Sequence, residues 1–199
     1  MDILLATTNA HKVREIRALL KPFKRFDLYT LRDFPHYKPP AENGSSFAEI
    51  AAKKAMHAAQ TLLIHALADD SGLVVPALGN APGINSARYA KEGASDKENR
   101  KKLLQEMEEL KGIRRDAYFE CCIAFASPQK LIRSVCGIAE GSIITEERGG
   151  DGFGYDSLFV KHDYNQTFAE LGERIKNQIS HRGKALQKML IVLESYIAD

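Results

Sequence analysis

The chain has 199 residues, of which 44% are hydrophobic and 27% are charged, as is typical of a globular protein with a sizeable core. The formal net charge is +2 without a long block of one sign, which argues against a nucleic-acid-binding surface. No apolar run is long enough to span a membrane, and we expect no signal peptide and no membrane partner. Cys121, Cys122 and Cys136 form no CxxC pair, which predicts reduced, buried thiols and a cytoplasmic protein.

The N-terminal segment predicts a buried strand, a turn and an amphipathic helix. Asp2–Thr7 forms the strand, and Asn9 can cap a helix whose apolar residues recur at helical spacing. The turn between them offers two hydroxyl groups, an amide, free backbone N–H groups and Lys12, a combination that suits a phosphate group. The glycines of a Walker A loop are missing, so the motif is modest by itself. Asp27–Leu31 then predicts a short strand.

A second helix is predicted from Ser46 to about Thr61. Ser46 and Glu49 have the spacing of a capping box, which assigns Glu49 to the helix start and not to chemistry. Glu42 lies in the preceding turn, outside that box, and is available for another role. Lys54 lies on the helix, where a lysine usually faces solvent but can also point into a cleft.

The two adjacent carboxylates Asp69 and Asp70 are the most informative feature of the sequence. They follow the apolar run Leu62–Ala68, which predicts a buried strand, and they precede a Ser-Gly turn and a second apolar run, Leu73–Val75. Burying one unpaired carboxylate costs several kcal/mol, as an order of magnitude. The pair therefore either meets a cationic group at a functional site or bonds to its own turn backbone.

The middle of the chain predicts an irregular loop, a helix and two long strands. Ser95 and Glu98 form a second capping box, and the mixed charges of the helix that follows indicate a solvated face. The predicted bounds are Pro76–Tyr89 for the loop, Asp96 to about Leu110 for the helix, and Ala117–Ala126 and Lys130–Ile143 for the strands.

Two further segments near the C-terminus carry candidate site residues. Gly149–Asp156 contains four glycines around Phe153, whose ring could stack on a flat ligand or pack inside a hairpin. A strand is predicted at Tyr155–Val160. Ser180 can cap a final helix that runs to about Ile197, which places His181 and Arg182 in its first turn. Cations are disfavoured at a helix N-terminus, which points to an anionic or carbonyl-bearing ligand there.

Five separated segments match one family in order. Together they closely resemble the inosine triphosphate pyrophosphatase family, and the match extends from about residue 3 to the C-terminus. The segments are Thr7-Thr8-Asn9-Ala10-His11-Lys12, Ala68-Asp69-Asp70-Ser71-Gly72-Leu73, Pro82-Gly83-Ile84-Asn85-Ser86-Ala87-Arg88-Tyr89, Gly152-Phe153-Gly154-Tyr155-Asp156 and Ser180-His181-Arg182-Gly183-Lys184-Ala185-Leu186.

The resemblance implies an α/β fold, with a long twisted mixed sheet flanked by helices and a substrate cleft between two lobes of one domain spanning residues 1–199. It also implies a homodimer and Mg²⁺-dependent hydrolysis of non-standard purine nucleoside triphosphates (ITP, dITP and XTP) to the monophosphate and pyrophosphate. Two alternatives stay open. One is a pyrophosphatase for other modified nucleotides, and the other is a nucleotide-binding module that has lost catalysis.

The resemblance also implies roles for individual residues. Asp70 would be the general base and a Mg²⁺ ligand, with Asp69 and Glu42 as further metal ligands, and Ser71 would touch the substrate. The triphosphate would contact Thr7, Thr8, Asn9, Ala10, His11, Lys12 and Lys54. The nucleoside would contact Phe153, Gly154, Tyr155, Asp156, Lys176, His181 and Arg182.

Selectivity for the base can be argued from hydrogen bonding. His181 and Arg182, or their backbone N–H groups, would donate to the 6-oxo group of hypoxanthine or xanthine, where adenine carries an amino group and leaves the donors unpaired. The sequence departs from the family at Ala41, where many relatives have a second acidic residue, at Ile50 in place of asparagine, and at Ser157 in place of proline.

Overall fold

The computed structural model describes residues 1–198, which form a mixed β-sheet and five α-helices. The strands are β1 (Asp2–Leu5), β2 (Asp27–Thr30), β3 (His65–Val75), β4 (Ala81–Pro82), β5 (Asp116–Ala126), β6 (Leu131–Ile143) and β7 (Phe159–Lys161). The helices are α1 (Ala10–Leu20), α2 (Phe47–Leu62), α3 (Asp96–Glu106), α4 (Glu173–Ile179) and α5 (His181–Ala198).

The sheet has the strand order β2-β1-β3-β5-β6-β7, and β4 pairs with β3. β1 is parallel to β2 and β3, with Ile3 opposite Leu28 on one side and His65 on the other. β4 is antiparallel to β3, and β7 is antiparallel to β6. The predicted α/β fold with a mixed sheet is therefore confirmed.

The chain divides into two compact units, and each unit has its own apolar core. The first unit comprises Met1–Asp70, Cys121–Gly137 and the chain from Arg182, and its core includes Ile3, Phe125 and Met189. The second unit comprises Ser71–Glu120 and Ile138–His181. Its core is built from β3, α3, β5 and the segments around Phe159 and Phe168. The single domain predicted over the whole chain stays a prediction.

The predicted turn at Ser71-Gly72 is wrong, because β3 continues unbroken from His65 to Val75. Gly72 does not form a turn, and its lack of a side chain lets the strand pack closely against Gly83 and Ser86. A Cβ atom there would lie 2.6 Å from the carbonyl oxygen of Gly83 and would collide with Ser86. The Ser86 hydroxyl accepts a hydrogen bond from the Leu73 N–H (2.9 Å) and donates one to the Gly83 carbonyl oxygen (2.6 Å). Asp69 and Asp70 therefore lie inside a strand.

Helix starts agree well with the predicted caps. The Asn9 side chain accepts from the N–H groups of His11 and Lys12, and the predicted capping box of Ser95 and Glu98 is complete. Ser46 caps α2 by accepting from the Glu49 N–H. The Glu49 carboxylate, however, accepts from the backbone and hydroxyl of Ser45, so the predicted box there is only half formed.

Three other predictions need correction. α3 ends at Glu106, earlier than predicted, and α4 was not predicted. The predicted strand Tyr155–Val160 is reduced to β7, which begins at Phe159. Cys122 and Cys136 form a disulfide between β5 and β6, while Cys121 stays a buried free thiol, so the prediction of three reduced thiols is wrong for two of them. Among residues 1–198, no helix is long and apolar enough to cross a membrane.

Candidate active site

Asp69 is fully buried at the centre of a charged cluster in the first unit. Its Oδ2 atom lies 3.0 Å from Lys12 Nζ and accepts from Nε and Nη2 of Arg182, both at 3.3 Å. The Cys121 thiol approaches the same oxygen at 3.8 Å. Burial opposes ionisation of Asp69, but Lys12 and Arg182 outweigh it and hold the pKa of the carboxyl well below its usual range.

Arg182 links Asp69 to a second carboxylate on α1. Its Nη1 forms a short ion pair with Glu15 Oε2, and the guanidinium is 1% exposed. Lys12 and Glu15 are three residues apart on α1, a spacing that places both side chains on one helix face. Burial disfavours the charge of Arg182, yet Asp69 and Glu15 reverse that effect and raise its pKa. The guanidinium is thus engaged by two carboxylates, which accounts for a cation in the first turn of α5.

Asp70, the next residue of β3, has a different environment. Its Oδ1 lies 3.5 Å from Lys54 Nζ, which also contacts Glu42 Oε1 at 2.8 Å and donates to the backbone carbonyl of Asp69 at 2.9 Å. Burial raises the pKa of Asp70 to about 6, with Asp69 and Glu42 adding to the effect and Lys12 and Lys54 opposing it. Burial lowers the pKa of Lys54, but the surrounding carboxylates outweigh it, so the net shift is upward.

The two neighbouring carboxylates therefore differ in protonation behaviour. Asp69 stays ionised and fixed by cations, whereas Asp70 titrates close to neutral pH and is 8% exposed. A carboxylate whose pKa lies near the working pH is suited to accept a proton from a nucleophilic water, and two carboxylates with pKa values pushed apart are a common acid–base arrangement.

The same cluster fits a hard divalent cation. Mg²⁺ is bound through oxygen, commonly by one or two carboxylates together with substrate phosphates and water. The carboxylates of Asp70 and Glu42 both contact Lys54 Nζ. In Asp69, the Oδ1 atom is buried and accepts no hydrogen bond from residues 1–198. The three predicted metal ligands Asp69, Asp70 and Glu42 thus offer oxygen atoms only.

The predicted phosphate-binding turn lies at the start of α1 in the first unit. The Asn9 side chain accepts from the N–H groups of His11 (2.9 Å) and Lys12 (3.2 Å), and the Asn9 N–H donates to the Thr7 hydroxyl (3.3 Å). A cavity of about 520 Å³ borders this turn. Its lining includes Thr7, Thr8, Ala10, Arg14, Arg17 and Arg32. The turn thus combines hydroxyl groups with nearby arginine side chains.

The predicted nucleoside-binding loop belongs to the second unit. Phe153 is half-buried, its N–H donates to Asp156 Oδ2 (2.9 Å), and Lys176 Nζ lies 5.1 Å from its ring centroid. Lys176 also forms a buried ion pair with Asp156 at 2.7 Å. Gly152 has φ +80°, and a Cβ there would collide with the Asp156 carboxylate, so the loop requires glycine at this position.

Other predicted substrate residues of the second unit are mostly buried. The Tyr155 hydroxyl donates to the Ser86 carbonyl (2.9 Å), so this ring anchors the loop to the segment after β4. The His181 ring stacks on Phe119, with centroids 4.7 Å apart and an interplanar angle of 11°. Ser71 lies half-exposed on β3. The structure brings Phe153, Gly154, Asp156 and Lys176 together.

Sequence reasoning missed several residues that touch these groups. Glu15 was not singled out, although a glutamate beside Ile16 on an amphipathic helix falls close to the apolar face. Arg100 belongs to the face of α3 that is predicted to be solvated, yet it donates to the Gly154 carbonyl oxygen, and Asp96 accepts from the Gly154 N–H. No local motif marks these contacts, because the two partners of each contact are separated by 54 to 167 positions in the sequence.

Comparisons with known proteins agree on one family. The model of the Ham1 family matches residues 3–192. A dITP/XTP pyrophosphatase of Chlamydia trachomatis serovar L2 is 52% identical, with 100% of this chain and 96% of that protein covered. A dITP/XTP pyrophosphatase of Protochlamydia amoebophila is 53% identical over 98% of each chain.

Solved structures give the same result. A HAM1 protein from Coxiella burnetii has a TM-score of 0.88 at 39% identity, covering 98% of this chain and 99% of that one. The Ham1 protein of Staphylococcus aureus has a TM-score of 0.87 at 34% identity, covering 98% and 100%.

Proposed function

Because this chain belongs to the Ham1 family, we propose that it hydrolyses non-standard purine nucleoside triphosphates (dITP, XTP and ITP) to the monophosphate and pyrophosphate. The proposal draws on the dITP/XTP pyrophosphatase activity named for its relatives. The observation that carries it is the pair Asp69 and Asp70, one carboxylate held ionised by cations and the other titrating near neutral pH. Removal of these compounds from the nucleotide pool is the role that follows from the reaction.

The chemistry assigned to the first unit is hydrolysis of a phosphoanhydride bond. The Asp70 carboxylate accepts a proton from water, the water oxygen bonds to phosphorus, and the phosphoanhydride bond breaks to leave a monophosphate and pyrophosphate. Such transfer depends on positioning and charge neutralisation. Lys12, Lys54 and the positive end of the α1 helix dipole supply positive charge for the triphosphate. Arg182 and Glu15 keep Asp69 in place.

We further propose that Mg²⁺ is the cofactor, held by Asp70, Glu42 and Asp69. Bound there, the ion would neutralise phosphate charge and lower the pKa of a coordinated water. The oxygen-only donor set and the buried Oδ1 of Asp69 support this assignment. Lys54 contacts both Glu42 and Asp70 and would add positive charge beside a phosphate group bound there.

Base selection is assigned to the second unit. The Phe153 ring, flanked by the Lys176–Asp156 pair, is suited to stack on a purine. The Arg182 side chain is engaged with Asp69 and Glu15, so backbone N–H groups at the start of α5 are the better candidates for donors to the 6-oxo group. Adenine would place an amino group against those donors.

The homodimer rests on the family resemblance alone, the cytoplasmic location rests on the sequence expectation, and both are part of the proposal. Light scattering of the purified protein tests the first. A mass of two chains, about 44 kDa from the 22.1 kDa chain, is expected.

A substrate panel tests the proposed activity. Pyrophosphate release would be measured with dITP, XTP, dATP, dGTP and a modified pyrimidine triphosphate, each with Mg²⁺ or with EDTA. We expect Mg²⁺-dependent turnover of dITP and XTP with little turnover of the others. Preference for the modified pyrimidine would favour a different nucleotide pyrophosphatase. Absence of turnover, together with tight binding of dITP in a separate calorimetric titration, would favour a binding module.

A further inference from the structure

The loop that carries Phe153 is held from outside by side chains of α3. The Gly154 N–H donates to Asp96 Oδ2 at 2.7 Å, and the Gly154 carbonyl oxygen accepts from Arg100 Nη1 at 2.8 Å. Both hydrogen-bonding groups of one loop residue are therefore occupied by charged side chains four positions apart on one helix. Bonds to charged partners are about twice as strong as neutral ones.

A second set of contacts extends this attachment. Arg100 Nε lies 2.9 Å from Glu147 Oε2, and the Ser157 hydroxyl donates to the same carboxylate oxygen at 3.1 Å. The Arg100 side chain is 18% exposed and the Glu147 side chain is 40% exposed, so the ion pair is shielded from water mainly on the arginine side. Glu147 and Ser157 flank the loop on its two sides in sequence. The guanidinium thus contacts the loop at Gly154 and pairs with the Glu147 carboxylate, which in turn accepts from Ser157.

Phe153 lies between two fixed points of this arrangement. Its own N–H is bonded to Asp156, and the next residue is bonded to α3 through both backbone groups. The flexible glycines Gly152 and Gly154, with φ values of +80° and +59°, would otherwise allow the ring to move widely. The loop, Asp96, Arg100 and Glu147 also line one cavity of about 500 Å³, so the attachment shapes the space beside the ring.

We propose that Asp96 and Arg100 are positioning residues that hold the Gly152–Asp156 loop ready to bind the base, with Glu147 and Ser157 fixing the Arg100 guanidinium. The inference rests on the proposed function and deepens it, because it assigns nucleoside affinity to residues outside the predicted binding set. A loop ordered before binding loses less conformational entropy when the ligand arrives. The positioning residues act through Phe153 and do not take part in the phosphate chemistry.

Product binding separates this role from a general structural one. Affinities for dIMP, the nucleoside product, and for inorganic pyrophosphate would be measured by calorimetry for wild type, Arg100→Ala and Lys101→Ala, an exposed neighbour on α3. Arg100→Ala should weaken dIMP binding about 10-fold and raise KM for dITP similarly, because a bond to a charged donor is lost. Its kcat and its pyrophosphate affinity should equal those of Lys101→Ala. An equal loss of affinity for dIMP and for pyrophosphate in Arg100→Ala would overturn the proposal.

Conservative variants sharpen the test. Asp96→Asn retains an oxygen acceptor for the Gly154 N–H but loses the charge, so its affinity for dIMP should fall between that of wild type and that of Asp96→Ala. Arg100→Lys keeps the positive charge but lacks the planar group that reaches both Gly154 and Glu147, so its affinity should fall between wild type and Arg100→Ala. Equal dIMP affinity in Arg100→Ala, Arg100→Lys and wild type would contradict the role of the guanidinium.

Amide hydrogen exchange gives a readout without any nucleotide. Arg100→Ala should speed exchange at Phe153 and Gly154 while exchange in β5 stays unchanged. Unchanged exchange in the loop would overturn the proposal even if the enzyme proved active. A wild-type protein that neither hydrolyses dITP nor binds dIMP, but shows the faster loop exchange in the variant, would instead refute the proposed function and leave the attachment of the loop intact.

Discussion

Two regions of this protein hold candidate site residues by opposite means. Around Asp69, buried side chains hold one another through charge, as Lys12, Arg182 and Glu15 form consecutive ion pairs with exposures of 8% or less. Around Phe153, side chains hold a glycine-rich backbone, because Asp96, Arg100 and Asp156 bond to its N–H and C=O groups.

The difference has a functional consequence. Buried charges fix protonation states, since each pKa depends on the neighbouring ions, and such a region suits proton transfer and metal binding. A backbone loop held by side chains fixes the place of an aromatic ring without changing its chemistry, which suits recognition. Changes in the first region should therefore alter turnover and pH dependence, while changes in the second should alter affinity.

The largest expected effect is on turnover in Asp70→Asn. Loss of the general base should lower kcat for dITP about 10³-fold, within the range that general-base catalysis supplies. At saturating Mg²⁺, KM should change little, since the amide has nearly the shape of the carboxylate and keeps an oxygen that can bind the ion. Steady-state pyrophosphate release measures both constants, and Asp27→Asn, exposed at the start of β2, is the control. A kcat within tenfold of the control would contradict the role of Asp70.

Removal of the Arg182 guanidinium should destabilise the fold. Arg182→Met leaves the buried Asp69 and Glu15 without their shared cation, and we expect the free energy of unfolding to fall by about 3 kcal/mol or more. Urea denaturation followed by circular dichroism measures the loss. Arg14→Met, at an exposed position of α1, should have almost no effect. Equal stability of the two variants would mean that Asp69 does not depend on Arg182.

Asp70 should also make stability depend on pH. Its folded pKa of about 6 lies above the ordinary aspartate pKa of 3.8, so the folded state binds the proton more tightly than the unfolded state. Ionisation of this carboxyl therefore costs stability as pH rises from about 4 to 6. The full cost, about 2 to 3 kcal/mol, applies above pH 6.

Asp70→Asn removes this cost. In EDTA, the variant should be more stable than wild type at pH 8, and the difference should vanish towards pH 4. Thermal unfolding at several pH values tests this, and a stabilisation that does not vary with pH would contradict the assigned pKa.

The smallest effect expected is on affinity at the loop. Phe153→Leu keeps an apolar side chain but loses the aromatic face, so KM for dITP should rise about 10-fold, in line with the energy of stacking one base on an aromatic ring. Phe153→Tyr should retain wild-type KM, and kcat should be similar in all three proteins. A fall in kcat with unchanged KM would place Phe153 in the chemistry and remove the contrast between the regions.

Much of the architecture could be predicted from local sequence. Helix starts followed Asn9, Ser46 and Ser95 because a cap acts within one turn. The family could be recognised from five ordered segments, and the match of residues 3–192 to the Ham1 family confirms it. α4 was missed because Gly172 provides no side-chain cap and the helix has only seven residues.

The contacts within the candidate site could be predicted only in part. Ser71-Gly72 has the sequence of a turn, but the glycine is needed because the backbone of Gly83, eleven residues further along the chain, packs closely against it. Arg182 was predicted to face a ligand, yet two carboxylates from distant segments engage it. Such partners are set by tertiary packing and leave no local signature.

The most direct test of the central claim is single-turnover hydrolysis of dITP over a range of enzyme concentrations, with Mg²⁺ present. Wild type, Asp70→Asn and Phe153→Leu would be compared by the rate at which dIMP and pyrophosphate form. Phe153→Leu should reach the wild-type rate once enzyme is in sufficient excess, whereas Asp70→Asn should stay slow at every concentration. Recovery of Asp70→Asn at high concentration, or a persistently slow Phe153→Leu, would contradict the separation of chemistry from base recognition.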